Sequence, residues 1–283
     1  MGELQTSLNV REMLANFLQE DVGAGDITSN NIIPKGLEAT AKVICRTHSA
    51  IVCGLEEASI LFDICDCKGQ ILVDDGSKVT KGTAVMNVTG DARSILKAER
   101  TALNLIMRMS GIATETRRLA DLARDVTLLA TRKTAPGLRY FDKKAVTVGG
   151  GATHRMHLDE MVLIKDNHLA LIGGVEKSVS LAKKNVGSKI KVECEVRNRA
   201  EAIAAILAGS DIVMLDNFTP KKANDTIRQI GKMGLRNRSK IELSGGINNE
   251  NIKQYAKAKP DFISLGYITH SIKAIDFSLE IMK

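Results

Sequence analysis

From Gly111 onward the chain repeats a single pattern. Short apolar, β-rich runs (TLLATRK, MVLIKD, KIKVECEV, DIVMLDNF, KIELSGGI and FISLGYI) alternate with stretches of helix composition such as NRAEAIAAILAGS. Repeated β-α units on this scale imply parallel strands buried on both faces, in either a doubly wound sheet or a barrel. The ends of the runs favour the barrel. Each finishes on a chemically capable residue or a glycine turn: Arg132 and Lys133, Lys165 and Asp166, Glu195, Asp216, Ser244 with Gly245 and Gly246, and Gly266. In a barrel the carboxyl ends of the strands converge on one face, so six strand ends would build one pocket. A charge placed directly after four apolar residues is poorly solvated, and that is costly unless the charge is paired or liganded.

The preceding segment has a different character. Val10, Met13, Leu14, Phe17 and Leu18 recur at helical spacing, with Asn9 as N-cap and Glu12 as its capping-box partner. From Ala39 to Val88, short apolar runs broken by Gly and Asp-Gly turns predict a small antiparallel sheet. Ala92–Met109 reads as a helix apolar on nearly every side (Ile95, Leu96, Ala98, Ala102, Leu103, Leu105, Ile106 and Met109). Such a helix is buried or pressed against another subunit, and Arg100 stands out on it. The expected organisation is a first domain over residues 1–110 and a barrel over 111–283, with a carboxyl-terminal helix from about Ala274 packing back on the first domain.

Composition excludes several classes. A chain of 283 residues with 44% apolar and 26% charged residues is ordinary globular material. Cys45, Cys53, Cys65, Cys67 and Cys194 make an odd count without the CxxC spacing of a zinc clamp, which points to a reducing cytoplasmic setting. The amino terminus lacks the apolar core of a signal peptide, and no apolar run approaches membrane-spanning length, so no membrane partner is expected. The net charge of +7 comes from short basic runs interleaved with acids, and aromatics are only 3%. Solvated helix faces account for that pattern better than nucleic-acid binding does.

The chemistry is carried by a cationic set: Arg100, Arg132, Lys133, Arg155 and Lys165, with His154 beside them in GGGATHR. Such a set calls for a ligand with several negative charges, and arginines suit bidentate carboxylate or phosphate contacts. SGGI, followed by a helical stretch from Asn248, has the form of an anion cradle in which glycine amides and a helix amino terminus converge. Glu195 and Asp216, on neighbouring strands, could accept from sugar hydroxyls, hold a hydrated Mg2+, or simply pair with the lysines. GxSxG, HExxH and a complete P-loop are all missing, so no activated nucleophile is expected, and metal binding by His and Cys is not expected either.

Taken in order, ERTALN (99–104), TRKTAPGLR (131–139), GGGATHR (149–155), LIKDNH (163–168), VECE (192–195), MLDNF (214–218), SGGI (244–247) and GYITHS (266–271) resemble the motifs of the quinolinate phosphoribosyltransferases. EDVGAGDIT (20–28) matches the amino-terminal signature of that family, so the resemblance spans essentially the whole chain. It implies an α/β sandwich domain followed by an incomplete seven-stranded α/β barrel. It also implies a homodimer with a shared active site, with further assembly to a hexamer left open. The activity implied is phosphoribosyl transfer from phosphoribosyl pyrophosphate to quinolinate with decarboxylation, in NAD biosynthesis. Carried over by position, Arg132, Lys133, His154, Arg155 and Lys165 would surround the two carboxylates, with Arg100 entering from the partner. Glu195 and Asp216 would hold the ribose and Mg2+, directly or through water. Ser244, Gly245, Gly246, Gly266 and His270 would cradle the 5′-phosphate, while Lys133, Lys165, Glu195 and Asp216 would be catalytic. Thr153, where many members have Asn, and Leu243, where a small residue is usual, are modest departures that remove no charged contact. A barrel enzyme acting on nicotinate and a silent phosphoribosyl pyrophosphate-binding barrel stay open as alternatives.

Overall fold

The computed structural model describes residues 2–282, with side chains from Val10 onward. The chain divides into two compact units, one of residues 1–115, 136–149 and 271–283, the other of 116–135 and 150–270.

In the first unit, helix α1 (Gly2–Val22) buries Val10, Leu14 and Leu18. It starts well before Asn9, which is therefore not its cap. Glu3, Leu4 and Gln5 are strong helix formers, and they carry the helix past the position where a capping box was expected. Asp26 caps α2 (Ile27–Ile32) by accepting the Ser29 amide at 2.9 Å. Strands β1 (Glu38–Cys45), β2 (Ser49–Ile51), β3 (Lys68–Ile71), β4 (Lys78–Thr80) and β5 (Ala84–Asp91) follow, with α3 (Leu55–Ile64) between β2 and β3. All their pairings are antiparallel, as the turn pattern implied.

Helix α4 (Ala92–Ala123) is longer than the apolar pattern suggested. Of the eight apolar positions named above, seven are buried and Leu96 is half-buried, while Arg100 is exposed. The chain passes from the first unit to the second within this helix. Gly111 does not break it. A Cβ there would fall on the Lys273 carbonyl, so this glycine is kept for close approach of another backbone. Helix α5 (Arg139–Val148) is held by charge as well as by apolar contact. The fully buried Asp142 takes a two-pronged contact from Arg108 at 2.7 and 2.8 Å, and Phe141 packs on Phe17 with ring centroids 5.6 Å apart.

The second unit contains six parallel strands: β6 (Thr127–Ala130), β7 (Val162–Ile164), β8 (Val192–Val196), β9 (Ile212–Asp216), β10 (Lys240–Ser244) and β11 (Phe262–Leu265), in the order β6-β11-β10-β9-β8-β7. A single parallel bridge from Ala152 to Leu129 stands in the seventh position beside β6. Helices Val175–Val186, Arg199–Leu207 and Pro220–Lys232 alternate with the strands, so the unit is an incomplete α/β barrel.

The end of the chain returns to the first unit as strand β12 (Phe277–Ile281), not as the helix expected from about Ala274. It runs antiparallel to β1, with Phe277 opposite Cys45 and Ile281 opposite Ala41. Phe277, Leu279 and Ile281 alternate with Ser278 and Glu280, a period-2 pattern, and the strand covers an edge of β1 that would otherwise be open. No helix among the described residues is long and apolar enough to cross a membrane.

Candidate active site

All six barrel strands end at a common cavity of about 750 Å³. Arg132 and Lys133 follow β6, His154 and Arg155 follow the Ala152 bridge, and Lys165 follows β7. Glu195 lies on β8, Asp216 and Ser244 end β9 and β10, and Gly245, Gly246, Gly266 and His270 complete the wall. Every residue expected to build the site from one protomer therefore lines this cavity. Arg100 is on α4 and belongs to the other unit.

The cations are crowded. Burial first, and then the neighbouring Arg132, lower the Arg155 pKa, so two guanidinium groups oppose each other across the same space. Arg132 Nε is buried without a hydrogen-bond partner, whereas an Arg155 NH group donates to the Met161 carbonyl at 3.2 Å. An unpaired buried guanidinium nitrogen beside a second guanidinium is suited to an anion. Lys133 is fixed through its backbone, where its carbonyl accepts the Thr269 hydroxyl at 2.8 Å.

The acids form two tiers. In the upper tier Glu195 accepts from Lys165 Nζ at 2.8 Å, the lysine being about half exposed to the cavity and the glutamate mostly covered. Asp216 accepts from the Asn217 side-chain amide. Burial, and next the Glu195 charge, raise the Asp216 pKa, against the opposing pull of Lys165, Asn217 and Lys133. In the lower tier Glu193 and Glu242 are fully buried. His154 Nε2 lies 2.8 Å from Glu193 Oε2 and 3.7 Å from Glu242 Oε2. His154 Nδ1 accepts the Arg155 amide at 2.8 Å, so the ring proton sits on Nε2 and is donated to Glu193. His154 is thus tied to acids below the cations rather than adding to their charge.

The phosphate-cradle expectation is altered in one respect. The helix after SGGI begins only at Ile252 and is five residues long, because Asn248 and Asn251 first close a turn. In that turn the Asn248 amide donates to Asn251 Oδ1 at 2.8 Å, and Asn251 Nδ2 donates to the Gly246 carbonyl at 2.9 Å. The expected helix amino terminus therefore does not directly follow SGGI. Gly245, at φ +88°, is obligatory there, since a Cβ would collide with the Asn217 side-chain amide.

Sequence reasoning missed Glu193, Glu242, Asn217 and Ser264. The period-2 rule carried the signal for the acids. Glu193 shares a strand face with Glu195, and Glu242 shares one with Ser244, so both had to point inward. Burial, then the carboxylates of Glu201, Glu193 and Glu195, push the Cys194 thiol up to about 12, which leaves it un-ionised.

Comparison with known proteins covers nearly all of the chain. The family model described as quinolinate phosphoribosyl transferase, C-terminal domain, matches residues 112–280, and the N-terminal domain model of the same family matches 26–110. The probable carboxylating nicotinate-nucleotide pyrophosphorylase of Methanocaldococcus jannaschii is 43% identical over 278 residues, covering 96% of this chain and 97% of that protein. Its counterpart in Methanothermobacter thermautotrophicus is 41% identical over 277 residues, covering 95% and 98%. Among solved structures, the nicotinate-nucleotide pyrophosphorylase of Francisella tularensis aligns with a TM-score of 0.89 at 40% identity, covering 96% of each chain.

Proposed function

This chain belongs to the quinolinate phosphoribosyl transferase family, and we infer that it transfers phosphoribosyl from phosphoribosyl pyrophosphate to the ring nitrogen of quinolinate. The products are nicotinate mononucleotide, pyrophosphate and CO2, a step of de novo NAD biosynthesis. The observation that carries this reading is the apposition of Arg132 and Arg155 in one cavity, with Arg132 Nε unpaired. A pyridine with one carboxylate would satisfy one guanidinium, whereas quinolinate has two adjacent carboxylates to match both.

In this reading Arg132, Arg155, Lys133 and Lys165 orient the dicarboxylate so that the ring nitrogen faces the anomeric carbon. Glu195 and Asp216 hold the ribose hydroxyls, and the loop amides at Gly245 and Gly246, with Ser244, Gly266 and His270, hold the 5′-phosphate. The reaction needs no protein nucleophile, so rate comes from positioning and from charge complementary to the developing cation. Glu195 and Asp216 also suit Mg2+. They are hard oxygen donors; burial, and next the Glu195 charge, raise the Asp216 pKa, and a divalent cation relieves that repulsion. When bound, it would supply charge neutralisation for the departing pyrophosphate. The reading extends to a cytoplasmic enzyme, supported by five cysteines that are all free. It extends also to a homodimer, in which the exposed Arg100 reaches the cavity of the partner subunit.

Incubation with quinolinate, phosphoribosyl pyrophosphate and Mg2+ should release CO2 and pyrophosphate in equal amounts, and nicotinate should not replace quinolinate. Pyrophosphate without CO2, or neither product, rejects the assignment. For the dimer, mixing Arg100→Ala with Lys165→Ala protein should restore activity through heterodimers with one intact site. No recovery after verified subunit exchange removes Arg100 from the site.

A further inference from the structure

The reaction leaves one atom unaccounted for. When CO2 departs from C2 of the pyridine ring, a proton must take its place, and the four cations around the dicarboxylate are already engaged in holding it. We propose that the Glu242 carboxyl, at the floor of the cavity, delivers that proton to C2. The proposal rests on the phosphoribosyl transfer assigned above.

Glu242 lines the cavity although it is fully buried, with the Ser264 hydroxyl beside it and His154 Nε2 3.7 Å from its Oε2. An ionised carboxylate buried beside a second carboxylate would be costly, while a neutral acid there has a proton to give to a ligand in the cavity. The groups facing it agree. From β8 comes Glu193, already engaged by the Nε2 proton of His154; from β11 comes the Ser264 hydroxyl; and Lys165 acts from beyond β7. Burial first, and then the Glu193 charge, raise the Glu242 pKa well above the ordinary carboxylate range, and Ser264 and Lys165 only partly oppose them.

A cation bound by His154, Glu193 and Glu242, whose ligand atoms all lie within 4.8 Å of one another, is the competing use of this cluster. The histidine tautomer argues against it. Nδ1 is occupied by the Arg155 amide proton, so Nε2 carries hydrogen and has no lone pair for a metal.

The step balances. In the quinolinate mononucleotide formed after pyrophosphate leaves, the bond from C2 to the carboxyl carbon breaks. Its electron pair stays on C2 beside the positively charged ring nitrogen. That pair takes the Glu242 proton in the same step, the O–H bond breaking and C2–H forming as CO2 leaves, and Glu242 remains as a carboxylate. One proton from solvent restores it after product release.

The test is a single turnover of Glu242→Gln, a neutral side chain of the same size that has no acidic proton. Pyrophosphate should appear near the wild-type rate. CO2 should lag by about a hundredfold, and the dicarboxylated mononucleotide should accumulate. Pyrophosphate and CO2 changing in step, or neither changing, overturns the proposal. Should Glu242→Gln not fold, Glu242→Asp carries the same test. Its acid is withdrawn by one methylene, so the ratio of CO2 to pyrophosphate in the first turnover should drop, and an unchanged ratio overturns the proposal. The control is the wild type: if it releases neither product, the reaction assignment itself fails.

Discussion

The two ends of the barrel strands use the same residue types to opposite purposes. At the amino ends, acids and bases are matched. Asp211 accepts the Val192 amide at 2.7 Å and Lys183 Nζ at 2.9 Å, while Asp261 accepts the Ile241 amide at 2.8 Å and ion pairs from Arg236 and Lys240 at 2.8 and 3.0 Å. Toward the carboxyl ends, Arg132 Nε is buried without a hydrogen-bond partner, Glu242 is buried beside the Glu193 charge, and two guanidinium groups repel. One end is satisfied within the protein, and the other leaves part of its charge unmatched until something binds. Stability and function are therefore separable along each strand.

The largest effect expected from this contrast is at Arg132. Each charge-assisted contact contributes roughly 1.5–3 kcal/mol, so Arg132→Ala should lower kcat/KM for quinolinate about ten- to a hundredfold. Its melting temperature should hold or rise, because a repelling charge has been removed. Near-normal turnover of quinolinate would take Arg132 out of the site. A clear loss of thermal stability would show that the carboxyl end is structural after all and would break the comparison.

Asp261→Ala sharpens it from the other side. Removing an acceptor that joins one backbone amide to two basic side chains should cost about 1–3 kcal/mol. Urea melts should show that loss, while kcat/KM measured well below the transition should stay at the wild-type value. Equal damage to turnover would mean that the amino ends also set the site geometry.

The contrast also explains what could be read in advance. The six strand ends were legible because charge directly after an apolar run has few places to go except a shared polar cavity, and that is where Arg132, Lys165, Glu195 and Asp216 stand. Glu193 and Glu242 were not legible as strand ends, because they sit within their strands, where a glutamate looks like noise in an apolar run. Only the two-residue period of the strand reveals their direction. Gly111 misled in the opposite way. A glycine in a helical pattern suggests a stop, and the Lys273 backbone that requires it is 162 residues further along the chain. The strand at Phe277–Ile281 depended on pairing with β1, a partner at the far end of the sequence.

The smallest expected effect is in pH, and its sign differs between the two ends. Although burial pushes the Asp261 pKa up, the Ile241 amide, Lys240 and Arg236 outweigh it and hold the pKa below the ordinary value. The unfolded chain then binds more protons at Asp261 than the folded one does, so this carboxylate's contribution is present above its unfolded pKa and is lost as pH falls through the folded one. Glu242 is reversed. Its folded pKa is raised, so folding takes up a proton, and its part of the stability is lost as pH rises from the unfolded pKa toward the folded one. Urea melts across acid and alkaline pH should therefore find that Asp261→Asn flattens the acid limb alone. Glu242→Gln should flatten the limb that descends with rising pH. If Glu242→Gln left that limb intact, Glu242 would have to be ionised in the folded protein, and the floor of the cavity would hold two charges instead of one acid and its neighbouring carboxylate.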